Sequence, residues 1–329
     1  MRRSFMQHNL SVLKSHRFSI IIGVIMLFSL PLMGQSPEAA GPVFWDFLLR
    51  SRLWMTAVFS IIGLIMLNRG WVTRKVRAAA LLIVAFIFGV LYVLPLGTFA
   101  SSLAPHPSPV CLVARPYQFL LAGRAVPLMF MALISVIVLL NLLGNKLFCG
   151  WVCPVGALQE LVNLIPLPRK WKIVIPFRFS NGVRILVFLA FFVFLFSSGV
   201  MIYEYFSPFE FFHFGFEGLA IAALAVVLLL SLFIFRPFCY FLCPLGLITW
   251  VVEQTALFRV RLRKGACRDC RSCVSDTYCP AVQAIIDDCE VRPDCFACGR
   301  CMELCPDGGL RFKLPGKKQP GKSRPADGA

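Results

Sequence analysis

The chain has 329 residues; 58% are hydrophobic and only 15% are charged, whereas a soluble domain carries about 25% charged residues. A net charge of +17 would fit nucleic acid, but the basic residues flank apolar runs, with no helix-turn-helix or basic-aromatic stripe, so no nucleic-acid partner is expected. The fourteen cysteines are too clustered, and the chain too long and apolar, for a secreted disulfide scaffold.

Apolar runs at 18–33, 53–67, 78–100, 125–143, 185–203 and 218–235 predict about six transmembrane helices, since crossing takes about 20 residues. The first run follows basic residues, as a signal peptide would, but Met33–Gly34–Gln35 is a poor cleavage site, so a retained helix is expected. With the N-terminus inside, 29 of the 33 Lys and Arg fall on inside segments, leaving Arg50, Arg52, Arg115 and Arg124 outside. That asymmetry predicts a multi-pass protein of a bacterial inner membrane with both termini cytoplasmic. Expected units are two N-terminal helices within 1–77, a four-helix membrane body over 78–258, a ferredoxin domain over 259–312 and a disordered basic tail over 313–329.

The body carries an internal repeat: FCGWVCPVGAL at 148–158 and FCYFLCPLGLI at 238–248. Each copy follows two spans. Cys149 and Cys153 thus match Cys239 and Cys243 ninety residues later. Proline disfavours a helical residue before it and suits a helix's first position. Pro154 and Pro244 should therefore open new helices, with Cys153 and Cys243 at their caps. Four such thiols at the cytoplasmic membrane surface fit a further cluster or metal, a redox-active thiol/disulfide pair, or tight structural junctions.

On the outer side, Cys111 and His106 share one loop. The loop 204–217 holds Glu204, Glu210, His213 and Glu217 among aromatic residues. Glu204, Glu210 and His213 are quinone-site candidates, because quinol oxidation releases protons with its electrons; an interfacial aromatic belt reads the same way.

The C-terminal array carries the clearest chemistry. Cys295, Cys298, Cys301 and Cys305 stand at C-x2-C-x2-C-x3-C-P spacing, and Cys267, Cys270, Cys273 and Cys279 begin the same pattern. This is the ligand run of a bacterial ferredoxin with two [4Fe–4S] clusters, in which the fourth cysteine of each run serves the other cluster. One cluster would take Cys267, Cys270, Cys273 and Cys305, the other Cys295, Cys298, Cys301 and Cys279. The first run departs from type, with VSDTY between Cys273 and Cys279. Four-cysteine zinc binding is the competing reading. Cys289 reads as a buried thiol. PAVQAII after Cys279 should be a short helix, with PDGGLRF after Cys305 as its counterpart. A basic collar of Arg259, Arg261, Arg263 and Lys264 marks the exit from the membrane. No G-x-G-x-x-G, Walker A or C-x-x-C-H motif is present.

FCGWVCPVGALQEL and FCYFLCPLGL, followed by a two-cluster ferredoxin segment, resemble the NosR/NapH-type membrane polyferredoxins, with MauN-, PceC- and CcoG-like relatives. The likeness covers roughly residues 80–312. It implies an iron–sulfur electron-transfer protein between the quinone pool, or a cytoplasmic donor, and a periplasmic or membrane redox partner. The family's outer Cys-Pro motif would correspond to Cys111, followed here by Leu112. The CcoG-like layout implies a second reading, a cupric-type metal-ion reductase using the body thiols. A redox-sensing regulatory or assembly factor is a third.

Overall fold

A computed structural model describes residues 51–314 apart from 96, 104–107, 200, 202, 204–206, 214–217, 264–265, 268–269 and 290. The predicted first span, His106, Glu204, Glu217 and the tail beyond Leu314 lie outside the described residues.

Helix α1 (Ser51–Arg69) is followed by α2 (Arg74–Gly89). Thr73 caps α2 by accepting the Val76 N–H at 3.4 Å, one of the donors a helix start leaves unpaired. Then come a 3-10 turn (Leu91–Val93), α3 (Gly97–Ser102), α4 (Pro109–Leu121) and α5 (Leu128–Leu143). The first Cys-Pro unit folds as α6 (Leu147–Trp151) and α7 (Pro154–Asn163). Helix α8 (Phe177–Ser198) ends at Gly199, whose φ of 68° suits glycine. Helix α9 (Gly218–Phe233) leads into the second unit, α10 (Pro237–Phe241) and α11 (Pro244–Glu253).

The helical segments Arg52–Arg69, Arg74–Val93 and Phe177–Ser198 are long and apolar enough to cross a membrane. Their outward faces show Ile61, Ile65, Leu82, Phe86, Leu186 and Val193, a continuous apolar exposure that water would penalise. Helices α5 and α9 are apolar too but have 16 residues each, about 24 Å against a hydrocarbon core of about 30 Å. The predicted span at 185–203 is displaced: α8 starts earlier, after Pro176, and so takes Arg184 into its buried face.

Both Cys-Pro units turn the chain in the same way. Cys153 has φ −68° and ψ 115°, Cys243 has φ −69° and ψ 115°, and Pro154 and Pro244 open the next helix. Helix α7 packs between α2 and α9, and α11 packs against α4 and α5. These short helices fill the body's interior.

Strand β1 (Arg259–Leu262) pairs antiparallel with β2 (Leu310–Lys313), Val260 opposite Phe312. Between them lie α12 (Ser272–Thr277), α13 (Pro280–Ile286) and α14 (Arg300–Glu303). Val260, Leu310 and Phe312 bury against Ala281, Val282 and Ile285, and the same core takes in Leu67 of α1 and Leu147 and Trp151 of α6. The ferredoxin-like segment thus shares its core with the helical body. PAVQAII is helical as its sequence predicts, whereas PDGGLRF is a turn leading into β2 and not a second helix. The Asp-Gly-Gly there favours a turn over helix.

Gly150 marks the closest approach of the two parts. A Cβ there would lie 2.1 Å from the Phe296 carbonyl oxygen. Gly150→Ala should therefore push the 295–298 loop outward and cost about 1–3 kcal/mol as overpacking, read as a lowered thermal midpoint of the purified protein; an unchanged midpoint would show that this loop yields freely.

Candidate iron–sulfur centre

The structure gathers twelve cysteines into three sets of four. In the first, the Cys273 thiol is pushed up by burial and then by the neighbouring charges of Cys305, Cys267 and Cys270. Gly309 joins this set's two ends: its N–H donates to Cys305 Sγ at 3.2 Å, and its missing side chain leaves room for Cys267 at 3.4 Å.

The second set, Cys279, Cys295, Cys298 and Cys301, lines one small cavity, walled also by Phe235 and Phe296. The Cys301 thiol is raised well above its ordinary value by burial, then by Cys298, Cys295, Cys279 and, more weakly, Cys273 of the first set. Burial and then the Glu253 charge push Cys295 to about 12. Burial, then Cys298 and Cys295, push the Cys279 thiol up, with the backbone N–H groups of Ala281 and Val282 acting in the opposite sense. Cys279 reaches this set because VSDTY does not loop out. The segment coils into α12, and Tyr278, at φ 52°, ends the helix and turns the chain back.

The third set lies in the body. Cys149, Cys153, Cys239 and Cys243 are each less than a tenth exposed, and none is disulfide-bonded. Burial raises the Cys153 thiol first, followed by Cys239, Cys149 and Cys243. Cys153 shares a pocket with Arg52 and Thr56 of α1 and Phe88 of α2. Phe88 lies about 20 Å along α2 from Arg74 by helical rise. All four thiols are thus buried within the body.

A thiol must lose its proton to ligate a metal centre, so binding one here would release protons. Among the described residues, no three His, Cys, Asp or Glu side chains converge on a single-ion position. Soft thiolate donors in fours, spread around a larger space, are the donor chemistry of an iron–sulfur cluster.

Between the second and third sets runs a buried ion-pair network that the sequence reading missed. Lys146 and Arg184 both reach Asp294, the residue before Cys295, the arginine at 3.1 Å. Arg77 grips Glu160 with two bonds of 2.7 and 2.9 Å, and Arg236 binds the same carboxylate. Despite burial, the charges of Arg77 and Arg236 hold Glu160 at about 2, and Lys146 and Arg184 hold Asp294 low. Glu253 is raised well above the carboxylate range by burial and, against the pull of Lys146, by Asp294. Phe296 is sandwiched here, with the Arg236 guanidinium 4.7 Å and Lys146 Nζ 5.4 Å from its ring. A sequence signal existed: Lys146 and Arg236 each stand three residues before the first cysteine of their motif.

Of the quinone candidates, only Glu210 has its side chain among the described residues. Glu210 is half-buried in a 3-10 turn (Glu210–His213), only the backbone of His213 is described, and Glu204 lies outside the described residues. Nearby residues instead reach inward. The Tyr203 hydroxyl donates to Leu242 O at 2.5 Å, and Phe209 packs on Phe238 at 6.2 Å and lines the Cys153 pocket. Cys111 is buried at the start of α4, where Ser108 Oγ accepts its N–H at 3.2 Å. Cys289 stands apart from the three sets, raised by burial and then by Asp287.

Asp294→Asn leaves Lys146 and Arg184 buried without their carboxylate. A loss of about 3–5 kcal/mol is expected, seen as faster backbone hydrogen exchange over 292–301. Wild-type exchange there would contradict this role.

A family model described as a 4Fe-4S binding domain matches residues 125–173 and 215–265. Each match spans one Cys-Pro unit and stops short of Cys267. YccM of Escherichia coli is 33% identical over 208 residues, covering 56% of this chain and 56% of its own length. The ferredoxin-type protein NapH of Haemophilus influenzae is 27% identical over 217 residues, covering 61% of this chain and 71% of its own. The regulatory protein NosR of Pseudomonas aeruginosa is 30% identical over 218 residues, 62% of this chain and 30% of its own length. The chain thus spans little more than half of YccM and under a third of NosR. No solved structure matches the chain. The paired Cys-Pro units, the ferredoxin ligand runs and these relatives together make the chain similar to the NapH/NosR-type polyferredoxins.

Proposed function

We propose that this chain is a membrane-bound iron–sulfur electron-transfer protein linking the quinone pool or a cytoplasmic donor to a respiratory or periplasmic redox partner. One observation carries the reading: eight ferredoxin-run thiols fall into two sets of four, each drawing its fourth member from the other run, beside four more buried thiols. Cys267, Cys270, Cys273 and Cys305 would hold one [4Fe–4S] cluster, and Cys279, Cys295, Cys298 and Cys301 the other. When bound, such a cluster supplies a site that gives and takes one electron. Cys149, Cys153, Cys239 and Cys243 would hold a further cluster or metal. The 4Fe-4S family match over their two units supports this.

The chain's own residues keep the route dry and short. Phe296 and Tyr240, 5.5 Å apart between ring centres, exclude water between the second and third sets. Tyr203 and Phe209 extend the contact toward the C-terminal end of α8, where a quinone or outer partner would exchange electrons. The Lys and Arg asymmetry supports six spans, built in the body as a two-helix repeat, with both termini cytoplasmic. The metal-ion reductase reading needs body thiols that a substrate ion can reach, and their burial weighs against it.

Anaerobically purified protein should carry about eight irons and eight sulfides in its ferredoxin segment and give low-temperature EPR signals of coupled [4Fe–4S] centres on reduction. Iron above eight that is lost in Cys149→Ala or Cys239→Ala would assign a cluster to the body. Zinc without sulfide would contradict the reading. For orientation, an alkaline phosphatase fused to the C-terminus should be inactive, and activity would place that terminus outside.

A further inference from the structure

A polar cavity lies where the ferredoxin-like segment meets the loop after α7. It measures about 580 Å³ including its open mouth and is lined by Arg74, Arg169, Lys172 and Arg300, with Asp276 as the one carboxylate. Asp276 is taken by Arg169 at 2.7 Å. The other three cations are held in place by neutral groups. Lys172 Nζ donates to the carbonyls of Asn163 and Leu232, each at 2.8 Å. A guanidinium N–H of Arg74 donates to Leu164 O, and one of Arg300 to Asn163 Oδ1 at 3.3 Å. Glu303 approaches only the Arg74 backbone N–H, at 2.7 Å. Among the described residues, no carboxylate pairs with the side chains of Arg74, Lys172 or Arg300. Holding like charges together in this way is unfavourable unless an anion joins them. Lys172 registers the crowding: burial lowers its pKa first, and then the charges of Arg300 and Arg74.

The cavity's surroundings narrow the class of anion. The same loop exposes Ile165, Trp171, Ile173 and Val174, an apolar rim beside the cations. Trp171 stacks on Phe233, at the end of the apolar helix α9, with ring centres 5.9 Å apart. An aromatic and apolar rim beside clustered cations, at the end of membrane helices, is what a lipid offers partners to: phosphate for the cations, acyl chain for the rim. We infer that this cavity binds the phosphate headgroup of an anionic phospholipid. Arg300 lies between Cys298 and Cys301, so the bound headgroup would sit beside the second thiol set. The inference does not depend on what those thiols hold.

The test is native mass spectrometry of the full-length, delipidated protein in detergent, titrated with phosphatidylglycerol, phosphatidylcholine or inorganic phosphate. Phosphatidylglycerol should bind in preference to phosphatidylcholine. Arg169→Gln, at an exposed position that leaves the fold intact, should weaken it about fivefold, the usual worth of one cation near a lipid surface. Lys172→Gln should weaken it at least as much. Asp276→Asn should strengthen it, because it frees Arg169; a purely structural role for the pair gives no such opposite sign. Lys75→Gln, outside the cavity, should change nothing. Equal binding of both lipids, or the same affinity in all variants, would overturn the proposal. Inorganic phosphate binding as tightly as phosphatidylglycerol would replace the lipid with a soluble anion and also overturn it.

Discussion

The arrangement depends on two carboxylates buried among four cations. Asp294 comes from the ferredoxin-like segment, while Lys146 and Arg184 come from the body. Removing either side from water costs several kcal/mol per ion and is repaid only while the partners stay in contact. The segment therefore cannot swing away without stranding two buried cations. Arg77 and Arg236 do the same around Glu160, binding the two Cys-Pro units to each other and to α2. Four cations thus face the carboxylates of Glu160 and Asp294. The surplus positive charge lies beside the thiols of the second and third sets, where an anionic thiolate ligand set gains most from it.

That network also explains two glycines. A Cβ at Gly156 would lie 2.8 Å from an Arg236 guanidinium nitrogen and 2.9 Å from Cys149 O. The guanidinium passes over this bare backbone to donate to Cys149 O at 2.6 Å. Gly246, at the matching place in the second unit, would meet Cys239 O at 2.8 Å, and its own carbonyl accepts from Lys146 Nζ at 2.6 Å. Each Cys-Pro-x-Gly turn thus lets a buried cation reach the backbone beside the first cysteine of a unit. The glycine two residues after each proline keeps the backbone bare where these cations approach.

The sequence was most legible where chemistry fixes spacing. The spacing of Cys295, Cys298 and Cys301 marks three close thiols of one set, and Pro154 and Pro244 fix the helix starts after Cys153 and Cys243. It was least legible where a residue's role depends on depth. Lys146, Arg184 and Arg236 count as inside-loop charges by position, and only folding shows that they are buried beside thiols. Cys279 looked doubtful because a five-residue insertion suggests a loop, yet those residues coil into a helical turn. Why Cys111 occupies its buried place in α4 has no account in the contacts described.

The central claim is that ligand sets are assembled across the chain, Cys305 with the 267–273 run and Cys279 with the 295–301 run. Anomalous scattering at the iron absorption edge, from anaerobically grown crystals, tests this most directly. The account predicts separate iron density inside each of those two sets of four thiols. Iron density bounded by cysteines of one run alone, or no iron within either set, would contradict it.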